Sequence, residues 1–195
     1  MESTKEGTCC STSTLPGGGE QGAGDFWVFA YGSLMWRPDF DHVEARLARL
    51  TGYHRAMCIL SNHYRGTHER PGLVLGLDRG GSCVGRAFRV EPADVETVRR
   101  ILFEREMITG VYIPRDVPVR LDDGRRVAAW AFVARHDHEQ YVPPDPVRAV
   151  ALIRQGVGRA GSSRDYLART VEEMERLGIR AGMLHGLLAA VDRRE

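Results

Sequence analysis

The sequence predicts an α+β fold, a mixed, barrel-like β-sheet with helices flanking it. Three observations predict it. Runs of strand-forming residues dominate the front of the chain, and helical patterns dominate its end. Ala128, Trp130, Phe132 and Ala134 recur with period two, the pattern of a half-buried strand. Leu184, Leu187, Leu188 and Val191 mark one face of a terminal helix.

The 195 residues suffice for one domain with a proper core. Residues 1–24 are rich in Ser, Thr and Gly, and Leu15 is their only large aliphatic residue after Met1. They are expected to form a flexible tail, since they bury too little apolar surface to offset ordering entropy. The folded domain is expected over 25–195. It opens with the strand Phe26-Trp27-Val28-Phe29-Ala30-Tyr31, which ends at Gly32-Ser33. Further strands are expected at Tyr53–Leu60, Leu73–Leu77, Cys83–Val90, Val117–Leu121 and Val127–Ala134. Arg79-Gly80-Gly81 and Asp122-Asp123-Gly124 read as hairpin turns. A helix follows Pro92 to about Met107, with proline near its start. Three more are expected at about Pro146–Arg154, Ser163–Leu177 and Ala181–Asp192. Ser162 or Ser163 caps the middle one and Gly178 stops it.

Composition narrows the chemistry. Basic and acidic residues number 27 and 26, for a formal charge of +1. Lys5 is the single lysine and lies in the expected tail, so Schiff-base chemistry, a lysine base and a lysine-bearing phosphate loop are not expected. The arginines interleave with acids, and the doublets are Arg99-Arg100, Arg125-Arg126 and Arg193-Arg194, which argues against a nucleic-acid partner. Cys9, Cys10, Cys58 and Cys83 form no C-x-x-C pair, so neither a disulfide framework nor a zinc site is expected, and a reducing cytoplasm is. No apolar run approaches the ~20 residues of a membrane helix, and the N-terminus lacks the apolar core of a signal peptide.

Three motifs read as structural. Gly156-Val157-Gly158-Arg159-Ala160-Gly161 matches G-x-G-x-x-G, but no strand follows its helix, so a loop between helices is expected rather than a dinucleotide site. His136 and His138 flank Asp137 without a further ligand cluster, and read as a polar turn. Ser33 lacks the G-x-S-x-G elbow of a nucleophile.

Glu106 is the most informative residue. At 100° per residue it falls within about 40° of Val95 and Leu102, on the apolar stripe of its helix. A carboxylate there is costly unless paired or used, and burial raises its pKa toward that of a neutral-pH base. The alternative is a glutamate that pairs with a core arginine or snorkels out at the helix terminus. The corner Tyr31-Gly32-Ser33-Leu34 is the second piece. Glycine at a strand end allows close backbone approach to a ligand, and successive amides form an anion nest. The alternative is a plain turn.

Phe26-Trp27-Val28-Phe29-Ala30-Tyr31-Gly32-Ser33-Leu34-Met35-Trp36 resembles the opening of the ChaC-like γ-glutamylcyclotransferases. Phe103-Glu104-Arg105-Glu106-Met107-Ile108-Thr109-Gly110-Val111-Tyr112-Ile113-Pro114 resembles their second block. Arg65-Gly66-Thr67 with Pro71-Gly72, and Gly161-Ser162-Ser163-Arg164-Asp165-Tyr166-Leu167, resemble two others; Ser163 stands where family members often carry Asn. The resemblance runs from about Phe26 to Val191. It implies a barrel-like fold without a cofactor, and cleavage of glutathione to 5-oxoproline and cysteinylglycine. It further implies Glu106 as the catalytic residue and Val28, Phe29, Ala30, Tyr31, Gly32, Ser33 and Leu34 as the substrate-binding segment.

This chemistry suits the residues. The substrate's α-amine attacks its own γ-carbonyl, so proximity replaces an enzyme nucleophile. Glu106 is expected to take the amine proton and return it to the leaving nitrogen. Tyr112 and Tyr166 are candidate hydroxyl partners, and Arg55, Arg65 or Arg70 a partner for the glycine carboxylate. The expected partner is thus a small molecule, with no metal, nucleic acid or membrane; the oligomeric state stays open and is compatible with a monomer. The alternatives are the same reaction on other γ-glutamyl peptides or amines, and a non-catalytic γ-glutamyl-binding module.

Overall fold

The computed structural model describes residues 25–193. The expected tail and Cys9-Cys10 lie outside them. Five strands close into a barrel: β1 (Phe26–Ala30), β2 (Glu44–Ser61), β3 (Gly72–Val90), β4 (Tyr112–Leu121) and β5 (Arg126–Ala134). Their order round the barrel is β1-β3-β2-β4-β5. All neighbours are antiparallel except β1 and β5, whose parallel pairing closes it. Four helices flank it: α1 (Val95–Glu106), α2 (Pro146–Gln155), α3 (Ser163–Arg176) and α4 (Gly182–Asp192). None of the described helices is long and apolar enough to cross a membrane.

The helix ends follow the expected chemistry. Asp145 caps α2 by accepting from Val147 N and Arg148 N, with Pro146 behind it. Ser162 caps α3 through Asp165 N, and Gly178, at φ 68°, ends it. Ser163 Oγ is buried and bonds both the amide and the carbonyl of Leu73, tying α3 to β3.

The sheet corrects four expectations. Arg79-Gly80-Gly81 is not a hairpin turn but part of β3. The segments on either side of it both pair with β2, as in Thr51↔Ser82 and Tyr53↔Arg79, so neither is free to pair with the other. The positive φ of Gly52, Gly80 and Gly81 lets both strands bend through a bulge at this point. The Asp122-Asp123-Gly124 turn does join β4 to β5. Second, β4 starts at Tyr112, earlier than expected. Pro114 and Pro118 argue against a strand, but β4 reaches β2 only near Leu121, so its other edge needs few donors there. Third, β5 is buried on both faces from Ala129 to Ala134, not on one. Packing of α1 over the barrel accounts for the covered side: Arg99 lies 5.2 Å from the Trp130 ring and 4.5 Å from that of Phe26. β2 likewise begins at Glu44, whose carboxylate is matched by Arg89 of β3 and by Arg125 of the β4–β5 turn.

Leu102 is fully buried one turn before Glu106 and anchors α1 to the barrel. Leu102→Ala is expected to lower the unfolding free energy by about 2–5 kcal/mol, read from urea denaturation.

Candidate active site

A cavity of about 430 Å³ opens where β1 ends. The turn after β1, the C-terminus of α1, the start of β4 and one face of α3 converge on it. Tyr31, Gly32, Ser33, Leu34, Arg65, Glu106, Tyr112 and Tyr166 all line it. Val28, Phe29 and Ala30 do not; they are fully buried in the core and only carry the chain to the cavity.

The corner after β1 is shaped by arginines. Arg55 Nε donates to Tyr31 O. Arg86 Nη1 donates to Met35 O at 2.9 Å, and Arg105 Nη1 to Arg37 O at 2.8 Å. Arg105 Nη2 reaches Ser33 Oγ at 2.9 Å, so Ser33 is an acceptor here. Within the turn, Gly32 O and Ser33 O accept from Met35 N and Arg37 N. The carbonyls are thereby engaged, while the amides of Gly32, Ser33 and Leu34 have no acceptor among the described residues. A trans peptide points its N–H away from its C=O, so engaged carbonyls leave donors for a ligand. Gly32 is required by close approach: a Cβ there would sit 2.9 Å from the Tyr166 hydroxyl.

Glu106 ends α1 as the apolar stripe predicts, with its carboxylate in the cavity. Burial pushes its pKa above the usual carboxylate value, and the Arg105 guanidinium, 3.2 Å away, partly offsets this. Three phenols of the cavity, Tyr31, Tyr112 and Tyr166, feel its charge, and desolvation raises all three. Two of them spend their protons on backbone: Tyr31 on Phe132 O and Tyr112 on Leu75 O, both at 2.8 Å. Their oxygens are then left as acceptors, a setting suited to a substrate cation.

Of the three candidate arginines, Arg65 lines the cavity; Arg55 and Arg70 do not. Arg55 is corrected to a structural role, because its donors go to Tyr31 O and Val84 O. Arg37, Arg105 and Arg169 also line the cavity; Arg105 falls within the second of the quoted blocks, while Arg37 and Arg169 lie outside them all. The one sequence signal for Arg169 is its place three residues past Tyr166, on the same helix face. The G-x-G-x-x-G stretch forms a small hairpin between α2 and α3. Its glycines serve backbone contact: a Cβ on Gly156 would lie 2.3 Å from Gly72 Cα. His136 and His138 sit in a turn, bonded to Asp78 at 2.6 Å and Thr109 O at 2.8 Å. Among the described residues no group of His, Cys, Asp and Glu could hold a metal ion.

The family model described as ChaC-like protein matches residues 26–194. A glutathione-specific gamma-glutamylcyclotransferase of Escherichia coli (strain K12) is 37% identical over 86% of this chain and 73% of its own length. Glutathione-specific gamma-glutamylcyclotransferase 1 of Homo sapiens is 33% identical over 85% of this chain and 77% of its own. A crystal structure of a gamma-glutamyl cyclotransferase specific to glutathione from yeast superposes with a TM-score of 0.78 at 21% identity, covering 86% of this chain and 96% of that one.

The raised pKa of Glu106 has a consequence for stability that needs no substrate. A carboxyl raised on folding stabilises the fold while protonated and loses that contribution as pH rises through its folded value. Glu106→Gln is neutral at every pH. The variant is expected to melt above the native protein at neutral pH, with the gap closing as the buffer is taken below the ordinary carboxylate range. Thermal melts across pH read it directly.

Proposed function

The chain belongs to the ChaC-like family, and we propose that it is a glutathione-specific γ-glutamylcyclotransferase, with Glu106 as its base and acid. The observation that carries this reading is the largely buried Glu106 carboxylate, facing unengaged amides at Gly32, Ser33 and Leu34 across one cavity. The named activity of the relatives supports the choice of glutathione.

Glutathione brings its own nucleophile. Its α-amine is mostly protonated near neutrality. Glu106, ionised but poorly solvated, takes that proton. The freed amine attacks the γ-carbonyl carbon, closing a five-membered ring through a tetrahedral intermediate. The amides of Gly32, Ser33 and Leu34 stabilise an anionic oxygen of the substrate. Protonated Glu106 then gives its proton to the cysteinyl nitrogen as the carbon–nitrogen bond breaks. The freed carboxylate takes the second amine proton from the new ring nitrogen and passes it to the departing amine. The products are 5-oxoproline and cysteinylglycine, and the carboxylate is regenerated. Tyr31, Tyr112 and Tyr166 form the polar wall around the amine, and Arg65 faces the far end of the peptide. The substrate's own amine, held beside the γ-carbonyl within one residue, is why no enzyme nucleophile is needed. We assign the protein to a reducing cytoplasm, in keeping with Cys58 and Cys83, both free and buried.

Two outcomes follow. Purified protein with glutathione is expected to yield 5-oxoproline by mass spectrometry, and Glu106→Gln to lower the rate about 10²–10⁴-fold. Absence of 5-oxoproline from the native protein, or full activity in the variant, overturns the proposal. A γ-glutamyl amine offered in parallel tests breadth, glutathione being the better substrate. The acid limb of kcat is expected above the ordinary glutamate range. Arg105→Gln removes the charge that holds Glu106 down, so the limb moves to higher pH.

A further inference from the structure

The cavity wall beyond Tyr166 carries more positive charge than its acids neutralise. Arg37 is paired with Asp39 at 3.0 Å, and Arg105 with Asp39 at 2.8 Å and Glu106 at 3.2 Å. Arg65 and Arg169 line the same cavity without a paired carboxylate among the described residues. Asp165, one turn before Arg169 on α3, lies 3.6 Å from Arg164. Burial, and after it the nearby Arg169 guanidinium, hold Arg65 below the usual guanidinium value. A fold that brings two unpaired guanidinium groups to one cavity wall bears a repulsion that an anion there would relieve.

Both groups are placed rather than loose. Arg65 lies over the Tyr166 ring at 5.5 Å and donates to Ala160 O and, at 3.4 Å, to Ser162 O. Its loop is pressed backbone to backbone against the α2–α3 hairpin, where a Cβ on Gly158 would lie 2.6 Å from Gly66 N. Arg169 stands one turn after Tyr166 on α3 and is exposed to the cavity mouth. Tyr166 itself separates two regions. Its hydroxyl adjoins Gly32 of the amide corner, and its ring adjoins Arg65. A γ-glutamyl tripeptide has a carboxylate at each end, so the amide corner and the arginine pair match its two termini.

We propose that Arg169, together with Arg65, forms a fork for the C-terminal carboxylate of the substrate, and that Arg169 thereby selects γ-glutamyl peptides ending in a free acid. This rests on the cyclotransferase reading above. The test crosses one enzyme change with one substrate change. Glutathione and its glycine ethyl ester, which lacks that one charge, are turned over by the native protein and by Arg169→Ala, with 5-oxoproline as the readout. Arg169 is exposed and takes part in no ion pair among the described residues, so the variant is expected to fold; its melting curve checks this. The native protein is expected to show a KM for the ester about 10-fold or more above that for glutathione. In Arg169→Ala the KM for glutathione rises by a similar factor, with a smaller change in kcat, and the ratio between the two substrates falls toward one. A ratio that stays at its native value in a folded variant overturns the fork, and so does a native protein that does not distinguish the two substrates. Absence of 5-oxoproline from both substrates with the native protein overturns instead the cyclotransferase reading on which the fork rests.

Discussion

The corner after β1 depends on arginines that hold its carbonyl oxygens. Arg55 takes Tyr31 O, Arg86 takes Met35 O and Arg105 takes Arg37 O. Bonds from a charged donor contribute about 1.5–3 kcal/mol each, more than neutral ones. Their effect here is directional as much as energetic. The Tyr31 carbonyl and the Gly32 N–H belong to one trans peptide and point opposite ways, so the grip of Arg55 on Tyr31 O leaves that amide free to face the cavity, while Arg86 and Arg105 anchor the end of the turn. Arg105 extends the same arrangement to Glu106, so that one side chain connects the amide corner with the carboxylate. The position of the site within the barrel follows from these contacts.

The shortage of lysine acquires a physical meaning in this setting. Arg86 meets Met35 O at 2.9 Å, lies 3.7 Å from Glu173 and covers the Phe88 ring at 4.8 Å. Arg105 reaches four residues, Ser33, Arg37, Asp39 and Glu106. A planar group with five donors makes such multiple contacts in fixed geometry, whereas an ammonium is a single compact charge. The arginines, whose interleaving with acids argues against a nucleic-acid partner, are at these positions part of how the cavity is built.

Much of this was legible in the residues, and the exceptions have physical causes. Glu106 stood out because a carboxylate on an apolar stripe is anomalous, and that anomaly is local to one helix. The helix ends were legible because capping is also local. The course of β3 was not, because Gly80 and Gly81 permit either a hairpin or a bulge, and only pairing with β2 decides between them. The prolines of β4 and the two-sided burial of β5 depend on which neighbours cover each edge and face. Arg55, Arg65 and Arg70 were indistinguishable by type. What separates them is the direction each side chain takes, which is a property of the closed barrel.

The bond from the Tyr31 hydroxyl to Phe132 O joins residues 101 positions apart. Beside it, β1 meets β5 in the parallel pairing that closes the barrel. Contacts between segments so distant carry a loop-closure cost before they bring any gain, which delays their formation. β2 and β3, joined by a short connection, have no such delay. The cavity therefore arises late in folding, with its amide corner at one end of the sequence and its phenols spread over the rest. A nascent chain that has made only β1 to β3 already has the arginine grip of Arg55 and Arg86 within reach, but has neither the base of α1 nor the Tyr166 of α3. Competence for chemistry and completion of the fold are, for this chain, nearly the same event.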